Sequence, residues 1–141
     1  MIKTFTLGPV QRIKINIPAG MEIINPGQPK LASTGDIKIT TAAVHGKDTW
    51  LLSKTMLERA KAECQTPIDS VPDLEEVLTR GLPWVDCDYL LTGILLRRDL
   101  HDSDGGECVL YLVRDGDRWV VDFYQIGRIF GGRCQVLCYG N

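Results

Sequence analysis

The sequence predicts an α+β fold in which a curved antiparallel β-sheet carries two helices on one face and a β-rich segment at its N-terminus. Three observations predict it. Period-two alternation of apolar residues marks runs within the first 44 residues, and residues 85–139 hold four β-favouring runs, as strands require. Residues 48–80 between them hold two stretches with helical spacing. The pair Asp115-Gly116 sits between two apolar runs, the strongest short signal for a tight hairpin.

In chain order, residues 1–7 and 10–17 alternate as strands, with Ile13, Ile15 and Ile17 on one side and Gly8-Pro9 between the runs. Residues 18–35 are rich in proline and glycine and leave room for a short strand at Met21–Ile24. Residues 36–44 alternate again. His45-Gly46 breaks the pattern, and Asp48 is placed to cap a helix over about 48–64. Its apolar side comprises Leu52, Met56, Leu57, Ala60 and Cys64. Ser70 caps a second helix, with Pro72 in the first turn and Gly81 beyond Arg80. Residues 87–98, 107–113, 118–126 and 134–139 then read as a four-stranded antiparallel meander.

Residues 118–124 put Trp119, Val121 and Phe123 on one face and Val120, Asp122 and Tyr124 on the other. Residues 108–113 are apolar on both faces. Such a sheet needs two covers. The helices supply one, and the N-terminal β segment or a second subunit supplies the other.

At 141 residues the chain is the size of one domain, able to bury a core without disulfides or structural metal. Its five cysteines, odd in number and irregular in spacing, are no secreted disulfide framework. Cys134 and Cys138 would stand about 13 Å apart along a strand, beyond disulfide reach. No apolar run spans a bilayer and no leader pattern opens the chain, so a cytoplasmic setting is expected. The net charge of −2 hides a split of +5 over residues 1–61 and −7 over residues 62–141. Either the two parts neutralise each other in one molecule or the dipole draws a second copy. No basic-aromatic pattern points to nucleic acid.

Acidic residues crowd Arg97–Cys108, where Asp99, His101, Asp102, Asp104 and Glu107 are possible ligands. They match no calcium-loop or zinc spacing, and Asp, Ser and Gly at this density mark a turn. A second cluster follows from the meander: Asp88 pairs near Asp117, bringing in Asp86 and Asp115 as metal candidates. Solvated turn acids are the plainer reading, and the sequence points to no metal and no cofactor. For catalysis the candidates are His45, with Asp48 and Thr49 beside it, and Asp122, but no nucleophile signature accompanies them. Ligand-binding candidates are Arg128 and Arg133 in "GRIFGGR", whose amides can cradle an anion, and Trp50 and Trp84 at element edges. The segment lacks the Lys-Ser/Thr of a P-loop, and a flexible link is its plainer reading.

A helix pair followed by a long meander, with "RDGDRWVV" in its last hairpin, resembles the cone-shaped NTF2-like domains over about half the chain. The β-rich first 44 residues depart from that pattern. The leading functional expectation is a non-enzymatic binding protein taking a protein partner or small ligand in the sheet's concavity. The alternative, which the resemblance implies, is a small hydrolase or isomerase using His45 or Asp122 in a pocket. A homodimer is expected from the doubly apolar sheet, a C-terminal strand taken as an edge, and the charge split.

Overall fold

The structure, a computed structural model, describes residues 12–31, 37–82, 85–98 and 106–140. Among them run strands β1 (Met21–Ile24), β2 (Ile39–Ala42) and β3 (Trp50–Leu52), helices α1 (Ser53–Ala62) and α2 (Val71–Arg80), and strands β4 (Tyr89–Arg98), β5 (Glu107–Asp115), β6 (Arg118–Gln125), β7 (Ile129–Gly131) and β8 (Cys134–Tyr139). The class is α+β, with a curved sheet that does not close.

The main sheet has the order β2-β8-β4-β5-β6, and β1 pairs with the C-terminal half of β4. The meander therefore stops at β6. Instead of lying beside β6, β8 crosses to the far edge of β4 and runs parallel to it. The chain makes that crossing through residues 126–133, where β7 pairs with β3 in a separate two-stranded ribbon. "GRIFGGR" is thus a structured crossover rather than a loose link. β8 lies between β2 and β4, so the C-terminal strand is not the edge that the pattern of short turns predicts.

Successive strand residues point to opposite faces, and both faces here are buried. Leu91, Val109 and Tyr111 pack with Met56, Leu57 and Ala60 of α1. Leu90, Leu110 and Leu112 pack with Leu74, Val77 and Leu78 of α2. The helices divide between the two faces instead of sharing one. Ile15, Ile17 and Met21 add to the α2 side. Burying each large apolar side chain of α2 contributes at most about 1.5–3 kcal/mol. Both covers come from within the chain, which removes the uncovered face on which a dimer was expected.

Helix α2 follows its sequence signals. Ser70 Oγ accepts from the Asp73 amide, Pro72 sits in the first turn, and Gly81 leaves the helix at φ +88°. Helix α1 does not. Residues Trp50–Leu52 are taken by β3, so the helix starts later than Asp48 would set it. Asp48 instead pairs with Arg59 at 2.8 Å. Leu52 and Cys64, expected on the apolar side of the helix, are exposed.

The segment 12–17 forms no strand. It lies along α2, where Thr79 Oγ1 and Glu75 Oε2 accept from the amides of Ile13 and Ile15 at 2.9 and 2.8 Å. Arg12 pairs with Glu76. The basic N-terminal part and the acidic later part thus meet within one molecule at this contact.

Candidate functional site

The β7 crossover lies over the α1 face because three bonds hold it there. Ser53 donates its amide to Arg128 O at 3.1 Å and its hydroxyl to Ile126 O. His45 is buried, and its Nε2–H donates to Phe130 O at 2.8 Å. A carbonyl only accepts, so this bond sets the tautomer. Phe130 is thereby pressed into the core among Tyr89 and Tyr111, with ring centres 5.5–6.1 Å apart. Ribbon alternation then turns Trp50, Leu52 and Ile129 outward.

An open hollow of about 460 Å³ lies beside this crossover, lined by Trp50, Tyr89, Arg128, Phe130, Gly131 and Arg133. The Trp50 side chain is exposed to 64%. Its indole lies against Gly131, where an added Cβ would sit 3.1 Å from the ring. Glycine is what lets the ring lie this close to the ribbon.

Arg128 stacks on aromatic rings, its guanidinium carbon 4.0 Å from the centre of Tyr124 and 5.2 Å from that of Phe130. Its Nη1 donates to the Tyr111 hydroxyl at 3.1 Å, and that hydroxyl donates to Asp122 Oδ2 at 3.1 Å. Burial, and then the Asp122 bond, push the Tyr111 hydroxyl up to about 12, so it stays a neutral donor. Among the described residues no carboxylate forms an ion pair with Arg128.

Arg133 is held differently. Its Nε and Nη2 grip both oxygens of Asp88 at 3.3 and 3.2 Å, and its Nη1 reaches Asp86 at 3.1 Å. The hydrogen bond from Arg133 lowers the pKa of Asp88, and the two carboxylates raise that of Arg133.

Three of the four predicted ligand-binding residues, Trp50, Arg128 and Arg133, are therefore brought to one place. Trp84 lies outside the described residues, as do Asp99, His101, Asp102 and Asp104 of the acidic turn. A larger apolar hollow between Leu78 and Trp119 borders Gly81 and Leu82.

The four aspartates do not gather around a common point. Pairing sets Tyr89 opposite Val113, and Asp88 O accepts from the Arg114 amide instead of facing Asp117. A two-residue register shift in β4 between Leu91 and Leu95 accounts for most of this offset. Asp115 lies 3.4 Å from Arg118, Asp86 and Asp88 hold Arg133, and no three-ligand metal cluster occurs among the described residues.

His45 and Asp122 are not joined as an acid/base pair. His45 is committed to Phe130 O, while Asp122 is exposed and accepts from Tyr111 and from the Phe123 amide at 2.8 Å. The residues that sequence reasoning missed are Tyr89, Tyr111 and Tyr124. The Asp115↔Arg118 turn pairing, counted back along the hairpin, places Tyr111 opposite Asp122 and would have found one of them.

No family model, curated protein or solved structure matches the chain.

Proposed function

We propose that the chain is a non-enzymatic binding protein whose ligand or partner meets the hollow beside Trp50. The observation that carries this reading is the solvent-facing indole of Trp50, lying against Gly131 in a hollow that Arg128 and Arg133 also line. A largely exposed tryptophan adds nothing to the core. It offers a rigid apolar face at low entropic cost, and tryptophan, tyrosine and arginine dominate the energetics of binding surfaces. The exposed Leu52 and Ile129 on the same side of the ribbon extend the apolar rim.

The hydrolase or isomerase reading needs an acid and a base sharing a pocket. The exposure of Asp122 and the engagement of His45 with a backbone carbonyl speak against it. Self-association belongs to this proposal too, now on different support. Among the described residues β6 is an open edge with Val120 and Tyr124 exposed beside it, and light scattering after size exclusion tests it. A cytoplasmic setting and the lack of a nucleic-acid partner rest on composition alone. Among the described residues no helix is long and apolar enough to cross a membrane.

Ligand-observed NMR of the protein and its Trp50→Ala variant against a small-molecule library tests the central reading. Binders that the variant loses, recovered chemically unchanged after a day, support it. Conversion of a bound compound, abolished by Asp122→Asn, would establish the enzyme instead. Identical binding by both proteins would remove the hollow from consideration.

A further inference from the structure

We infer that the hollow takes a flat aromatic ring bearing one anionic group, the ring on Trp50 and the anion at Arg128. This rests on the binding reading and adds the class of ligand. The hollow, of about 460 Å³, is open to solvent and of a size that admits a small molecule. Trp50 presents an indole to that recess and Gly131 leaves no side chain beneath the ring to tilt it. A planar ligand gains most from such a platform because two flat faces exclude water over their whole area.

The two arginines are not equivalent, and the difference sets the charge. Arg133 spends its fork on Asp88 and Asp86, which neutralise it, so it forms a wall of the site. Arg128 has no ion-paired carboxylate among the described residues, and one hydrogen bond, to Tyr111, is formed by its fork of donors. Stacking on Tyr124 and Phe130 holds its plane. Asp122 stands behind the Tyr111 hydroxyl and orients that hydroxyl toward itself. A carboxylate or phosphate completes the unused donors of Arg128 through charge-assisted bonds. One such cation matches one anionic group.

Calorimetry with the full chain tests this with two matched pairs of probes. 2-Naphthoate against 2-naphthamide examines a carboxylate, and AMP against adenosine examines a phosphate. The expected result is that at least one anion binds about tenfold or more tightly than its neutral partner, the scale of one charge-assisted hydrogen bond. Arg128→Gln erases that preference, Arg128→Lys keeps part of it, Trp50→Ala weakens all binding, and Trp50→Phe retains most of it. The pair that shows the preference identifies the anion. Neutral probes that bind as tightly as the anions overturn the anionic requirement and leave the binding reading standing. Failure of all four probes, while other compounds bind in a Trp50-dependent way, overturns the ligand class. Absence of any Trp50-dependent binder overturns the reading beneath it.

Discussion

The Tyr139 hydroxyl donates to the Asp73 carboxylate at 2.6 Å, tying β8 to the first turn of α2. Asp73 is 1% exposed and also accepts from the amides of Lys30 and Leu31 at 2.9 and 3.0 Å. Three donors thus compensate one buried carboxylate. Burial and the neighbouring Asp73 raise the Tyr139 pKa, so the phenol keeps its proton. Tyr139→Phe leaves Asp73 short of a donor and is expected to cost about 1–3 kcal/mol. Tyr124→Phe, at an exposed ring, should stay within about 0.5 kcal/mol. Urea unfolding compares the two, and equal midpoints would show that the bond contributes nothing.

Glu76 predicts an acid-sensitive step. It is 5% exposed, and hydrogen bonds from Arg12 first and Arg80 second, the latter at 2.8 Å, lower its pKa below the ordinary 4.5. A depressed folded-state pKa stabilises the protein above the unfolded value, and that contribution disappears as pH falls through the folded one. The thermal midpoint should therefore hold from pH 7 to about 5 and fall below about 4. Glu76→Gln should start lower at pH 7 and fall less steeply in acid. Parallel curves for the two proteins would contradict this.

Gly93 allows a wedge into the sheet. The loop around Pro67 and Ile68 enters between β4 and β8: Gly93 donates to Ile68 O at 2.7 Å, and Ile68 donates to Leu137 O at 3.0 Å. A Cβ on Gly93 would lie 3.0 Å from Pro67 Cβ. Gly93→Ala must push that loop outward, at about 1–3 kcal/mol. Chemical denaturation measures it, and an unchanged midpoint would mean the loop yields freely.

The cysteines should separate by reactivity. Cys64 is exposed, whereas Cys87, Cys108, Cys134 and Cys138 are buried. Burial pushes the thiols of Cys87 and Cys138 up to about 11 and that of Cys134 higher still. Iodoacetamide at pH 8 is expected to add one label quickly to the folded protein and five after denaturation. Rapid labelling at a second position, located by mass spectrometry, would show that a buried strand opens.

Some of this architecture is written locally and some is not. Ser70, Pro72 and Gly81 mark α2, and Asp115-Gly116 marks the β5–β6 hairpin, because caps and turns are read from adjacent residues. The three residues of β3 are too few to display a period, so "WLL" passes for the opening turn of a helix. The crossing of β8 leaves no local mark, since pairing between distant strands depends on the rest of the sheet. The same holds at the hollow. Trp50, Arg128 and Arg133 are legible one by one as candidates, but their meeting is a product of the crossover. The partnership of Arg133 with Asp86 and Asp88 depends on parallel strands that spacing does not reveal.

The central place of β8 also bears on how the chain is made. Ile39 pairs with Tyr139, so β2 leaves the ribosome long before its only partner strand among the described residues exists. Closing a loop of about a hundred residues costs roughly 4 kcal/mol in chain entropy. Val136 and Leu137 belong to the clusters on opposite faces, so neither core is complete until the same short strand emerges. A nascent chain halted before Cys134 would hold a β4–β6 hairpin stack with greasy surfaces on both sides, the form most open to chaperones and to its neighbours on a polysome.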